Sequence, residues 1–353
     1  MSKGLLRGIL ASREGRGFLE KGTAGAVSQR AMFVFSSGGQ NTALDPETPN
    51  ALTVDVEDYY QVSGFESRID RQRWSEYPSR VEANTERLLV LLRRRQVRAT
   101  FFVLGWTAQQ CPDLIRRIQN EGHEIGAHSF WHQCIYRQSP EAFREDLVRT
   151  KELLRGLTGQ EILSYRAPSF SITRRSWWAL EILAEEGFRY DSSVFPIRHD
   201  RYGAPDSPVG IYRVQTPSGP IWEFPPAVCR LAGINVPCAG GGYFRLYPLW
   251  LTMWLLRAIR REGRPFVFYV HPWELDPRQP RLPGSLLSRF RHYWNLAVTA
   301  RRLEALLDQF PFAPLGEVME EYLAGRGESG QAPGPNRPTE TPSRLSPPTQ
   351  GGS

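Results

Sequence analysis

The chain has 353 residues, 41% of them hydrophobic, which is enough to build one large core or two modest ones and too much for a chain disordered throughout. Its formal charge of +7 arises from 44 Lys and Arg against 37 Asp and Glu, and nearly all the basic residues are arginines scattered along the sequence. Scattered arginine without a basic stripe argues against a nucleic-acid partner and leaves an acidic or neutral glycan permitted.

Residues 1–49 carry Gly, Ser, Arg and Asn with little periodicity and are expected to be a disordered tail. Charges run through the first thirty residues and only Ala31 to Phe35 form a short apolar run, so no secretion signal is evident and a cytoplasmic location is expected. From there apolar strands alternate with helical stretches, the pattern of an α/β domain with mostly parallel strands. The strands are expected at Leu52–Val56, Ala99–Leu104, Glu124–Ala127, Leu163–Arg166 and Phe266–Val270. Helices are expected at Val81–Arg95, Pro112–Glu121, Pro140–Leu157, Arg174–Gly187, Tyr247–Glu262 and Tyr293–Gln309. The third has an N-cap in Ser139, Pro140 at its first position and a stop signal in Gly159.

Residues 196–245 break the alternation with Pro and Gly clusters and read as an insertion or substrate-facing elaboration rather than a regular unit. The apolar stretch Leu246 to Ile259 is far shorter than the roughly 20 residues needed to cross a bilayer, so no transmembrane segment is expected. Residues 325–353, dominated by Pro, Gly, Ser and Thr, read as a second disordered tail. Cys111, Cys134, Cys229 and Cys238 show no structural-zinc spacing and are expected to be free thiols.

In α/β folds, polar residues at the carboxyl ends of strands converge on one rim. Here those ends carry Asp55, Glu57 and Asp58, then His128 and His132, then Arg166, then His271. His128 and His132 stand four apart, so one helical turn would aim both rings at a common point, as paired metal ligands require. The acidic cluster at 55–58 would repel itself without a cation and offers the third ligand, with Glu57 and Asp58 both open.

These pieces resemble the polysaccharide deacetylases of carbohydrate esterase family 4, the NodB-like deacetylases, over roughly residues 50–310. The family's Thr-Phe-Asp-Asp-Gly motif corresponds to Thr53-Val54-Asp55-Val56-Glu57-Asp58. His-Ser/Thr-x-x-His corresponds to His128-Ser129-Phe130-Trp131-His132, and Arg-x-Pro-Tyr to Arg166-Ala167-Pro168-Ser169. Asp191-Ser192-Ser193 and Val270-His271-Pro272 follow in order. The wording at 54–62, 165–170 and 240–245 is similar to deacetylases found with exosortase and exopolysaccharide systems, a subgroup with an extra C-terminal region.

The resemblance implies a distorted (β/α)7 barrel over residues 50–324, with the subgroup-specific region at about 196–324. It implies a divalent metal, zinc by preference, held by His128, His132 and one acidic residue, Glu57 or Asp58. Asp55 would be the general base, held by Arg166, and His271 the general acid, tuned by Asp191. A backbone N–H near Ser169 would face the oxyanion. Val56 replaces the usual second Asp, and Ser169-Phe170 replace Tyr-Gly, which alters one wall of the groove. Tyr59, Trp131, Ser169, Phe170 and Trp273 are the candidate sugar contacts, with two aromatic residues beside the motifs expected to touch substrate. The implied substrate is an N-acetylhexosamine polysaccharide or a lipid-linked oligosaccharide, within exopolysaccharide assembly machinery. A small amide or ureide, as for allantoinase-like relatives, and a catalytically silent glycan-binding module are the alternatives.

Overall fold

The computed structural model describes residues 35–37 and 48–328, so most of both expected tails lies outside the described residues. Twelve strands are described: β1 (Phe35–Ser37), β2 (Asn50–Val56), β3 (Thr100–Val103), β4 (Glu124–Ala127), β5 (Ser164–Tyr165), β6 (Tyr190–Asp191), β7 (Tyr212–Thr216), β8 (Gly219–Glu223), β9 (Val228–Leu231), β10 (Ile234–Pro237), β11 (Val267–Val270) and β12 (Phe312–Ala313). Seven of them run parallel in the order β11-β2-β3-β4-β5-β6-β8. Every residue of β2 is buried, as expected of a central parallel strand covered on both faces.

The sheet curls until its two ends meet. Beyond β8 the chain returns to β11, where Pro226 bridges Val267 and Gly240 bridges Tyr269. The Ala227 N–H donates to the Val267 carbonyl at 3.2 Å and the Tyr269 N–H to the Ala239 carbonyl at 2.7 Å. This irregular seam closes a distorted barrel of seven parallel strands, in line with the expected fold. Gly240 has φ +133°, and a Cβ there would collide with the Tyr269 carbonyl, which is why the seam runs through glycine.

All five expected strands form. The helix at Pro140–Thr158 starts under the Ser139 cap, whose hydroxyl accepts the Ala142 N–H at 3.2 Å, and ends at left-handed Gly159. The segment 196–245 departs from the expectation of an irregular insertion. β7 and β8 form a hairpin in the main sheet, with Asp191 paired to Glu223 across β6 and β8. Its alternation was readable in buried Tyr212, Val214 and Thr216, while Pro217 and Pro220 lie at the turn and before the β6 pairing begins. Helices at Gly105–Gln110, Gly241–Leu246, Leu286–Tyr293 and Leu315–Ala324 were not expected. β1, inside the segment expected to be a tail, pairs antiparallel with β7. All four cysteines are free.

Candidate metal and acid–base site

The carboxyl ends of β2, β4, β5 and β11 surround a cavity of about 190 Å³ lined by Asp55, Glu57, His128, His132, Ser169 and His271, among others. His128 follows β4 directly, and its Nδ1 lies 2.7 Å from the Arg166 carbonyl. That contact makes Nδ1 the protonated nitrogen and leaves the Nε2 lone pair for a ligand. Burial pushes the His128 pKa down to about 4, so the ring is neutral, as a ligand must be.

His132 reaches the same point, though not by the helical turn its spacing suggested. Residues 128–134 form a loop in which Ser129 and His132 have φ of 61° and 49°. Asp146, from the following helix, accepts the Phe130 and Trp131 N–H groups at 2.8 and 3.2 Å, and the Ser129 hydroxyl pairs with the Tyr165 hydroxyl at 2.7 Å. These contacts take the place of helical hydrogen bonds and set the two rings 5.4 Å apart.

Glu57, His128 and His132 offer ligand atoms that all lie within 4.8 Å of one another. Glu57 Oε2 is 3.0 Å from His132 Nε2, yet it is a buried oxygen with no properly directed hydrogen bond. Two close, buried, mutually misdirected donor atoms are what a pair of ligands aimed at a common cation presents, so these residues fit a divalent metal. Burial raises the Glu57 pKa, but His132 and His271 outweigh it and hold the carboxylate well below its usual range.

Asp58, the alternative third ligand, points elsewhere. Its Oδ2 accepts the Arg80 and Val81 N–H groups at 2.7 and 3.1 Å and the Ser79 hydroxyl at 2.8 Å, capping the helix Val81–Arg94 from outside. An oxygen committed to three donors has no lone pair aimed at the histidines, and of the two carboxylates only Glu57 lies grouped with them.

Asp55 Oδ1 accepts from Arg166 Nη1 at 2.8 Å. The guanidinium is fully buried and also donates to Thr53 Oγ1 at 2.7 Å, the Ser192 carbonyl at 3.1 Å and Ser192 Oγ at 2.9 Å. The Asp55 carboxylate is thereby fixed in rotation, with Oδ2 turned toward His271 Nε2 at 3.8 Å.

His271 is held by a group that the sequence reading did not identify. Glu274 Oε1 is 2.5 Å from His271 Nδ1 and also accepts the His271 backbone N–H at 3.1 Å, while its Oε2 accepts from Arg245 Nε at 2.7 Å. Burial alone would lower the His271 pKa; Glu274 and Glu57 override it and raise the value to about 10. The expected partner Asp191 does not perform this role. It accepts the Ser193 hydroxyl at 2.5 Å and faces Glu223, and burial raises the pKa of both carboxyls. Two buried carboxyls facing each other on paired strands cannot both ionise, and neither lines the cavity. The His-x-x-Glu spacing at 271–274 was the readable signal, and Arg245 closes the Gly-Gly-Gly-Tyr-Phe-Arg wording at 240–245.

Of the expected sugar contacts, Ser169, Phe170 and Trp273 line the cavity. Tyr59 does not: it is fully buried in an aromatic cluster beside the rim. Trp131 packs on Trp106 and Trp74 at 5.4 and 6.1 Å and is likewise absent from the cavity wall. Arg201, Tyr202, Tyr269 and Arg291 are wall residues that the motifs did not point to. Ser63, Gly64, Arg201 and Ser288 belong both to this cavity and to a neighbouring cleft that carries Arg68 and Arg137, so the two are adjacent.

Fold and site together define a curled α/β barrel with a two-histidine, one-carboxylate ligand group facing an arginine-held aspartate and a glutamate-held histidine. Comparison with known proteins points to a family. Residues 74–190 match the polysaccharide deacetylase family, and residues 192–320 match a domain described as one of unknown function, DUF3473. Residues 74–190, about a third of the chain, are thus similar to the polysaccharide deacetylases. The chain is 35% identical over 98 residues to a peptidoglycan-N-acetylglucosamine deacetylase of Bacillus cereus, covering 28% of this chain and 36% of that protein. It is 30% identical over 118 residues to a peptidoglycan deacetylase of Helicobacter pylori, covering 32% and 38%. The chain thus spans between a third and two fifths of the length of these relatives. Among solved structures, one assigned to the polysaccharide deacetylases from Mycobacterium smegmatis has a TM-score of 0.55 at 21% identity, covering 90% of this chain and all of that one. Puue allantoinase has a TM-score of 0.50 at 17% identity, covering 78% and 89%. At these identities the likeness is one of fold.

Proposed function

We propose that the protein is a metal-dependent N-deacetylase that removes acetyl groups from N-acetylhexosamine units of a polysaccharide. The observation that carries this reading is the convergence of the Glu57, His128 and His132 group, the Arg166-held Asp55 and the Glu274-held His271 on one cavity. A divalent ion held by the three ligands, zinc by the chemistry of two imidazoles and a carboxylate, supplies Lewis-acid polarisation of the acetyl carbonyl and of an attacking water.

The chain's own residues do the rest. Asp55 accepts the proton of the attacking water at Oδ2, since Oδ1 is taken by Arg166. The Ser169 N–H faces the carbonyl oxygen as its negative charge grows, in a turn closed by Phe170 N–H to the Ala167 carbonyl and Ser171 N–H to the Pro168 carbonyl. His271 then donates its Nε2 proton to the nitrogen of the leaving amine, and Glu274 stabilises the protonated ring beforehand. Phe170 and Trp273 line the cavity wall, with Trp273 stacked between His271 and His292 so that it braces the His271 ring rather than offering a free face.

The cleft adjoining the cavity at Arg201 supports a polymer over a small ureide, which would call for a closed pocket. The similarity to exopolysaccharide-associated deacetylases at 54–62, 165–170 and 240–245 supports a substrate in that class or its lipid-linked precursor. Acetate release from an N-acetylglucosamine oligomer tests the proposal. Release should stop with chelator, return with zinc, and fall at least about a thousandfold in Asp55→Asn. Turnover that survives both chelation and Asp55→Asn, or that appears only with small ureides, overturns it.

A further inference from the structure

All but one of the exposed large hydrophobic side chains among the described residues fall in the stretch 246–294. Trp250 and Trp254 stand one turn apart on the outer face of the helix Leu249–Arg261, 69% and 44% exposed, while Met253, Leu255, Leu256 and Ile259 bury its inner face. Leu286, Phe290 and Trp294 stand out from the next helical segment, with Leu286 84% exposed and the Phe290 and Trp294 rings 4.9 Å apart. Arg245, on the short helix Gly241–Leu246 just ahead of Trp250, bonds to the end of the second segment, donating to the Trp294 carbonyl at 3.1 Å and accepting from Asn295 Nδ2 at 2.8 Å through its own carbonyl.

The charge carried by these two helices is one-sided, with Arg291 ion-paired to Asp200 at 3.7 Å. The helices Leu249–Arg261 and Leu286–Tyr293 carry five arginines, Arg257, Arg260, Arg261, Arg289 and Arg291, and no Asp or Glu, in a chain whose acidic residues otherwise come close to matching its basic ones. Helices with tryptophan and leucine outward and only arginine for charge match a bilayer interface, where amphipathic rings sit at headgroup depth and guanidinium groups meet anionic headgroups. A second copy of the same face would bring these arginines against one another. No helix of the described residues is long and apolar enough to cross a membrane, so the contact is one of lying on the surface.

The face also borders the cavity. Ser288 and Arg291 line it from the helix whose Leu286, Leu287 and Phe290 are exposed, and Gly242 lines it from the helix that precedes Trp250. We propose that this surface docks the protein on a bilayer containing anionic lipid, with the cavity mouth held near the headgroups.

The test is sedimentation of the full chain with vesicles of phosphatidylcholine alone and of phosphatidylcholine mixed with phosphatidylglycerol. Because it reads binding without turnover, its failure and a failure of the deacetylase reading are separate results. Binding to the mixed vesicles is expected, weakening with added salt. The paired changes Trp250→Ser with Trp254→Ser, and Phe290→Ser with Trp294→Ser, should each weaken it at least about tenfold. Circular dichroism of both variants should match that of the unaltered chain. No binding to mixed vesicles overturns the proposal, as does binding indifferent to both paired changes. A concentration-dependent dimer that the same changes abolish also overturns it, since it would make a second copy the occupant.

Discussion

Glu274→Gln is the substitution that most directly separates the proposed acid from its neighbours. The amide keeps the size of Glu274 and can still accept the His271 Nδ1–H, but it removes the buried charge that now lies 2.5 Å from that nitrogen. A hydrogen bond to a charged group contributes about 1.5–3 kcal/mol against about 1 kcal/mol for a neutral one. The protonated ring should therefore lose roughly 1–2 kcal/mol, or about one pKa unit or somewhat more. With Glu57 engaged by a metal, Glu274 is the main group holding the His271 pKa up. A raised pKa means that the acid form persists until pH rises through it, so the alkaline limb of kcat/KM should move to lower pH in the variant. Because the value starts at about 10, the ring stays protonated at neutral pH in the variant, and the loss of amide cleavage should appear chiefly above about pH 8. The change also strands Arg245, whose buried partner is Glu274, so stability will drop as well. An acetate ester of an acidic phenol resolves the two effects, because its leaving group departs without protonation. Glu274→Gln should cleave that ester at close to the unaltered rate. Equal losses on amide and ester, or an alkaline limb that stays in place, would refute the assignment.

Glu57→Gln should lose bound zinc, measured by elemental analysis after dialysis, whereas Asp58→Asn should retain it while lowering unfolding free energy by about 0.5–2 kcal/mol through the lost helix cap. Arg166→Lys should not restore what Arg166→Met removes, because one ammonium cannot reach Asp55, Thr53 and the Ser192 carbonyl together; both should cost several kcal/mol in denaturant melts, on the order of 3–5 for the unpaired buried Asp55. Burial holds His123 at a pKa of about 4 and His292 at about 3. Their depressed values give stability that is present above the unfolded-state value of about 6.5 and is lost as pH falls below it, by about 2 kcal/mol each at pH 5. Urea unfolding of the metal-free protein at pH 7 and pH 5 reads this loss, and His123→Leu should remove one share of it.

The residues that gather at the cavity were legible because they sit one after another at strand ends, a placement that sequence spacing preserves. Local geometry was not. The four-residue interval from His128 to His132 suits a helical turn as well as it suits the observed loop, and the loop is imposed by Asp146, a residue 14 positions beyond His132. Glu57 and Asp58 are chemically near-equivalent on paper; what separates them is that Ser79, Arg80 and Val81 claim the second. The two-residue strands β5, β6 and β12 are too short to show any period. Tyr59 and Trp131 lie beside motifs in the chain yet pack into the rim cluster, since adjacency in sequence does not fix which way a ring turns.

The division of the chain into two matched families does not correspond to two structural parts. Residues 74–190 supply β3 to β6, both histidine ligands and Arg166, whereas 192–320 supply β7 to β12. β2, which bears Asp55 and Glu57, lies before either match. It is flanked by β3 from one and by β11 and β12 from the other. The barrel therefore cannot close on the first part alone, because the seam at Pro226 and Gly240 and the strand it meets all belong to the second. Nor can the site be complete. His271, the Glu274 that charges it and the Arg245 that holds Glu274 all come from the second part, while Asp55, 3.8 Å from His271 Nε2, precedes the first. The relatives from Bacillus cereus and Helicobacter pylori align over only 98 and 118 residues of this chain. The stretch described as a domain of unknown function is here the closing wall of the barrel and the source of His271, Glu274 and Arg245.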